Sequence, residues 1–194
     1  MRRQDLQRGA GAAEVRKGRH VQEDELRMLR DLVRDVPDFP RPGIMFRDIT
    51  PLLGDGPALR QVVDALAKAF PDIQMVAGIE SRGFILGAPV AYALGVGMVL
   101  VRKEGRLPRA TERAHYTLEY GTNTLEIHSD AIAPGQRVLV IDDVLATGGT
   151  AAATVALVER LGGSVAGIAV LIELTGLGGR DRLAGYSLRS LMQY

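Results

Sequence analysis

Residues 138–150 read VLVIDDVLATGGT, and the first four of them constrain the fold more than any other stretch. Val138, Leu139, Val140 and Ile141 are aliphatic without alternation, the pattern of a parallel strand buried on both faces. Such a strand needs helices on both sides of its sheet, which points to an α/β architecture. Asp142 and Asp143 are then expected to emerge at the carboxyl end of the strand, where open α/β sheets place their ligands. Ala146, Thr147, Gly148, Gly149 and Thr150 follow, and residues 151–161 read as a helix. Small residues let backbone N–H groups converge on an anion, and the positive end of a helix dipole points at the same spot. A single Asp and Gly at a strand end would mean only a tight turn. The full run is more specific: an anion cradle with acid groups beside it. It is not a Walker A loop, because no Lys follows the glycines.

The same alternation runs along the chain. Leu26, Leu29, Leu32, Val33 and Val36 fall at helical spacing and predict a helix closed by Pro37. Leu59, Val62, Val63, Leu66 and Phe70 predict a second, stopped at Pro71. Residues 73–79 read as a strand, 84–94 as a helix and 98–101 as a strand. The period then changes, and segments 116–120 and 124–128 flank Gly121, Thr122 and Asn123 as a predicted hairpin. Beyond the motif, residues 165–171 read as a buried strand and 186–191 as a short final one. Strands alternating with helices imply a parallel sheet with right-handed crossovers.

A chain of 194 residues, 46% hydrophobic and 24% charged, can bury one substantial core, so one domain with small additions is expected. The absence of Cys excludes disulfides, Cys-based zinc sites and thiol nucleophiles. His20, His115 and His128 lack metal-ligand spacing. No apolar stretch is long enough to span a bilayer and no signal-peptide core follows the first arginines, so a cytoplasmic enzyme without membrane contact is the expectation. Residues 1–20 carry six Lys or Arg against Asp5 and Glu14, a local +4 that leaves −3 over the remainder. The body is therefore not a basic nucleic-acid binder. Segment 1–22, Gly-rich and poor in large apolar residues, is expected to be a disordered basic extension, or a start placed too far upstream. Asp5 and Glu14 argue against a targeting peptide. Residues 23–194 are expected to form the single domain.

The run 138–150 resembles the phosphoribosyl pyrophosphate (PRPP) signature of the type I phosphoribosyltransferases, with every motif position filled. The segments DFPRPGIMFRDITP at 38–51, GIESRGF at 78–84, RKEGRLP at 102–108, LEYG at 118–121 and ELTGLGGR at 173–180 resemble the adenine-using branch of that family. The resemblance holds in order from about Leu26 to Tyr194. It implies the type I phosphoribosyltransferase fold, a central parallel sheet flanked by helices with a small N-terminal hood and a β-hairpin flap over about 104–130. It also implies a homodimer.

The activity implied is transfer of the 5-phosphoribosyl group of PRPP to adenine, giving AMP and pyrophosphate in purine salvage, with Mg²⁺ on the leaving pyrophosphate. By the same resemblance the N–H groups and hydroxyls from Ala146 to Thr150 hold the 5′-phosphate. Asp142 and Asp143 bind the ribose hydroxyls and organise metal-bound water; Mg²⁺ is held mainly by substrate and water, with these two carboxylates as candidate direct ligands. Arg82 contacts pyrophosphate, as Arg suits bidentate phosphate contacts, in a loop where the family often carries a non-proline cis peptide. Arg102, Lys103 and Arg106 form a second basic cluster for pyrophosphate, with Arg106 where Lys is commoner. Glu119, in the flap, donates a proton to adenine N7 as N9 attacks the ribose C1. Met45, Phe46 and Arg47 line the adenine edge with Val144; from spacing alone Phe46 reads as core. Asp48 is expected to pair internally. Similarity is weakest over 109–115, which includes His115.

Two other readings compete. A sibling transferase for hypoxanthine, guanine, xanthine or orotate is disfavoured by the segments at 46–48 and 118–121. A PRPP-sensing regulator needs a DNA-binding domain ahead of the PRPP domain, and about twenty Gly-rich residues are too few for one.

Overall fold

A computed structural model describes residues 23–118 and 121–194. Segment 1–22, expected to be an extension, lies outside the described residues, as does Glu119. The chain opens with α1 (Glu23–Asp31), then β1 (Arg34–Val36) and β2 (Phe46–Asp48), which pair antiparallel as a separate two-stranded sheet. The expected helix through Val36 therefore ends early. Leu32 and Val33 donate to the carbonyls three residues back, tightening the last turn of α1. Pro37 then favours an extended Val36, which the ladder to Phe46 uses. With α1, this small sheet forms the hood.

Two helices follow, α2 (Thr50–Gly54) and α3 (Gly56–Ala69), the second capped by Asp55 accepting from the Ala58 N–H. Next come β3 (Met75–Ile79), α4 (Arg82–Leu94), β4 (Gly97–Lys103), β5 (Thr111–Leu118), β6 (Gly121–His128), β7 (Arg137–Leu145), α5 (Gly149–Arg160) and β8 (Ser164–Glu173). A 3₁₀ turn (Thr175–Leu177), α6 (Gly179–Arg182) and β9 (Leu188–Gln193) complete the described chain.

The main sheet has seven strands in the order β5-β6-β4-β3-β7-β8-β9. From β4 to β9 every pairing is parallel, as expected of the central sheet; the hairpin strands β5 and β6 are antiparallel, so the seven-stranded sheet as a whole is mixed. The hairpin causes this by joining β4 through Arg102↔Glu126 and Lys103↔Leu125. The predicted turn residues Gly121, Thr122 and Asn123 instead continue the ladder, with Leu118 paired to Gly121.

The motif strand is buried on both sides, as its aliphatic run requires. Leu139 and Ile141 pack with Val62, Leu66, Leu86 and Val90 of α3 and α4. Val138 and Val140 pack with Leu157 and Val158 of α5 and with Ile127 of the hairpin. Yet β7 does not stop at Ile141. It continues to Leu145 because β8 keeps pairing with it up to Leu145↔Glu173, whereas its pairing to β3 ends at Gly78↔Ile141. The strand outruns its neighbour and leaves a notch beside Asp142 and Asp143. Among the described residues no helix is long and apolar enough to cross a membrane.

Candidate active site

The notch lies where the chain order of the sheet reverses. From β3 the chain crosses first to β4 on one side and later returns to β7 on the other. Ligands of open α/β sheets bind at such a point, beyond the carboxyl ends of the strands. Three segments reach it from the sequence motifs: the turn after β3, the end of β4, and the last third of β7 with its loop.

The turn after β3 contains a cis Glu80–Ser81 peptide, as the family resemblance led one to expect. It leads directly into α4, which starts at Arg82. Gly83 lets the helix sit against β7: a Cβ there would lie 2.8 Å from the Ile141 carbonyl oxygen and 3.2 Å from Asp142 Cα. This close approach delivers Arg82 to the aspartates. Arg82 Nε is 2.9 Å from Asp143 Oδ2, but off the hydrogen-bond axis, so that buried oxygen has no hydrogen-bond donor. The Arg82 guanidinium also lies 4.8 Å from the centroid of Phe46, which itself meets Phe39 edge to face at 5.0 Å. Phe46 is thus brought from the hood to the site and is not a core residue of the main sheet.

Asp142 accepts a 2.9 Å bond from the Asp143 N–H. Burial, then the neighbouring Asp143 charge, pushes the Asp142 carboxyl well above the ordinary carboxylate range. Burial also raises Asp143, and the Arg82 charge opposes it. Two adjacent carboxyls at a dry strand end favour cationic or hydroxyl partners, since both relieve desolvation.

The loop after β7 leads straight into the N-terminus of α5. Gly148 has φ +76°, caps the N-terminus of α5 and offers no side-chain cap, so the first-turn N–H groups remain available to a ligand. Gly148 and Gly149 are buried, while Ala146, Thr147 and Thr150 are half-buried.

At the end of β4, Arg102 is braced by Glu80: Nε donates to Glu80 Oε2 at 3.0 Å, and the Lys103 N–H donates to the same oxygen at 3.2 Å. Arg102 also donates to the Arg106 carbonyl at 3.0 Å. The side chains of Lys103 and Arg106 are exposed. Buried Glu126 pins this loop by accepting from the N–H groups of Arg106 and Leu107, both at 2.9 Å, and from Thr111 Oγ1. Burial alone would raise the Glu126 carboxyl; the donors of Leu107, Arg106, Gly105 and Thr111 outweigh it and hold it below its usual range. Glu80 and Glu126 were not singled out from sequence. Glu80 stands inside a quoted segment, but nothing in the spacing marks Glu126, which becomes legible only once Arg102↔Glu126 pairing is known.

Of the residues expected at the base, Met45 is exposed and Val144 packs against the core on the α3 side. Arg47 places its side chain in an ion pair with Asp35 and over the Tyr194 ring at 4.2 Å. Asp48 pairs internally as expected, accepting from the Thr50 N–H and hydroxyl at 2.9 Å.

The family model for the phosphoribosyl transferase domain matches residues 52–189. An adenine phosphoribosyltransferase of Roseiflexus sp. is 58% identical over 168 residues, covering 86% of this chain and 98% of the relative. Among solved structures, the adenine phosphoribosyltransferase of Rhodothermus marinus superposes with a TM-score of 0.86 at 55% identity, covering 89% of this chain and all of that one. The enzyme of Saccharomyces cerevisiae, solved with an imino-altritol bisphosphate and adenine, gives 0.82 at 38% identity, over 87% of this chain and 98% of that one.

Proposed function

The chain belongs to the adenine phosphoribosyltransferases of the phosphoribosyl transferase family, and we infer from that membership and from the notch beside Asp142 that it transfers the 5-phosphoribosyl group of PRPP to adenine. AMP and pyrophosphate are the products. The observation carrying the reading is the convergence of Arg82, the Asp142–Asp143 pair and the uncapped N-terminus of α5 at one switch point.

In this reading the loop 146–150 holds the 5′-phosphate, and Asp142 and Asp143 accept from the ribose hydroxyls. Arg82 binds the pyrophosphate, with Lys103, Arg106 and the braced Arg102 adding positive charge. Phe46 and Val144 offer apolar contact to the purine, and residues 45–47 present backbone polar groups to its edge. As the C1–pyrophosphate bond breaks with its electron pair leaving on oxygen, N9 of adenine attacks C1. Glu119 supplies a proton at N7. The β5–β6 hairpin acts as a flap that excludes water from the reactive centre. Residues 23–194 serve as one catalytic domain.

The donor set fits Mg²⁺. Asp143 Oδ2 is a buried hard oxygen lacking a hydrogen-bond donor, with Asp142 beside it. Among the described residues no group of three or more His, Cys, Asp or Glu could hold the ion alone, so these carboxylates would share it with substrate oxygens and water. When bound, it neutralises charge on the leaving pyrophosphate.

We also propose a homodimer formed through α4 and β4. Ile85 and Tyr92, seven residues apart on one helix face, are 46% and 89% exposed. Leu100 is exposed on the same side of the sheet, since Met98 two residues earlier reaches Gly87 of α4. An exposed apolar patch of this kind marks an interaction surface. A cytoplasmic location is part of the same proposal.

The deciding experiment is AMP formation from PRPP, Mg²⁺ and adenine, run beside guanine, hypoxanthine and orotate. Adenine should be strongly preferred; equal use of several bases would refute the assignment.

A further inference from the structure

The loop that cradles the anion has no cap of its own, so something else must fix its conformation. The structure assigns that task to the tail segment 178–180: Gly179 is a positioning residue whose backbone braces the loop 146–148, and the Arg180–Glu173 clamp holds Gly179 in place. The inference rests on the reading of residues 146–150 as the 5′-phosphate site.

Two backbones meet here without side chains between them. A Cβ on Gly179 would fall 2.2 Å from the Ala146 carbonyl oxygen and 3.1 Å from the Gly148 nitrogen. Reciprocally, a Cβ on Gly148 would fall 2.7 Å from the Gly179 carbonyl oxygen. Both obstacles are backbone atoms, which cannot swing aside as a flexible side chain would. Gly178 (φ +66°) turns the chain into this contact and Gly148 (φ +76°) turns the loop to meet it, conformations that glycine adopts without penalty.

The clamp lies one residue on. Arg180 Nε donates to Glu173 Oε1 at 2.8 Å and Nη2 to Glu173 Oε2 at 2.5 Å, a two-pronged contact that fixes direction as well as distance. Ser190 and Gln193 donate to the same carboxylate at 2.6 and 3.1 Å, so the buried charge is fully engaged. Glu173 pairs in register with Leu145, the residue from which the loop departs. The loop and its brace therefore share one anchor at the end of the sheet. N–H groups held in advance bind an anion more tightly than groups that must be ordered on binding. The brace should act on phosphate affinity and leave the base subsite alone.

The test uses the full chain, with ribose 5-phosphate binding followed by calorimetry and KM measured separately for PRPP and adenine. Gly179→Ala should weaken ribose 5-phosphate and raise KM for PRPP by about tenfold or more, the effect of losing roughly one hydrogen bond to a charged group, with KM for adenine little changed. Should that variant fail to fold, Arg180→Gln gives the same split in weaker form, and Arg180→Lys restores less than the native value because it lacks the fork. The double variant Thr147→Val/Thr150→Val tests the phosphate site itself. If it weakens ribose 5-phosphate while folded Gly179→Ala or Arg180→Gln does not, the brace is overturned and the site stands. If it leaves ribose 5-phosphate binding unchanged, the site reading fails and the brace with it. Equal changes in both KM values would reduce Gly179 to a general packing role and also overturn the inference.

Discussion

Replacing Glu173 by Gln removes the best-defined electrostatic contribution in the molecule, and its size follows from the geometry. The carboxylate is 4% exposed and accepts from Arg180, Ser190 and Gln193. The Arg180 bonds, with Ser190 and Gln193 behind them, hold it down from the ordinary 4.5 to about 2 against the opposing effect of burial. At about 1.4 kcal/mol per pH unit, that difference contributes about 3 kcal/mol to folding at neutral pH. Arg180 is 47% exposed, so solvent screening makes this an upper bound. The depressed folded-state value sets the sign. The stabilisation is complete above the unfolded-state value of 4.5 and disappears as pH falls through about 2. Linkage leaves roughly 2 kcal/mol of it at about pH 3.5. Urea denaturation of the native protein and Glu173→Gln should therefore give curves that differ most near neutrality and converge in acid. A difference that stays constant between pH 7 and pH 3.5, or widens toward acid, would refute an ion-pair origin.

Three further outcomes are expected. Glu119→Gln should lower turnover at least about tenfold while PRPP binding survives, the usual scale of a lost acid–base contribution; near-normal turnover would remove Glu119 from the proton transfer. Tyr194→Ala takes away the ring beneath Arg47 (4.2 Å) and Arg30 (5.6 Å), an interaction of about 1 kcal/mol. KM for adenine should rise several-fold, with Tyr194→Phe near native, and a matching rise in KM for PRPP would contradict a hood-specific effect. Ile85→Glu/Tyr92→Glu should convert the proposed dimer to monomer in sedimentation equilibrium, and a native protein already monomeric at assay concentration would dispose of the α4 interface.

The elements legible in sequence were those where pattern and tertiary demand agree. The unbroken aliphatics at 138–141 announced a two-faced strand, and Pro71 and the periodic Leu59–Phe70 set marked α3 to within three residues of its start and one of its end (Gly56–Ala69). Misreadings fell where a long-range partner overrides local period. Val33 and Val36 suit helical spacing, but β2 offers Val36 a ladder and Pro37 disfavours helix. Gly121-Thr122-Asn123 looks like a turn, yet those residues are used as strand because Leu118 finds Gly121 across the hairpin. At the site, the motif residues were legible by type, since an Arg after one strand and an Asp pair on another carry their chemistry with them. Their supports were not. Glu80, Glu126 and Gly179 act through residues more than a dozen positions away, in contacts that no spacing encodes.

The tail links the two subsites of the proposed reaction. Glu173 directs its side chain to Arg180, one residue beyond the backbone that meets the phosphate loop. Its carbonyl accepts from the Tyr194 N–H at 2.9 Å, and the Tyr194 ring carries Arg47, next to Phe46 on the base side. Residues on either arm should thus affect one substrate each: Gly179 the phosphoribosyl group, Tyr194 the purine. Glu173 lies where the arms join, its side chain serving the phosphate arm and its carbonyl the purine arm, so Glu173→Gln should raise KM for PRPP and leave KM for adenine near native. Coupling between the subsites then needs no moving part, because a shared rigid anchor at the end of β8 sets the distance between the phosphate cradle and the hood.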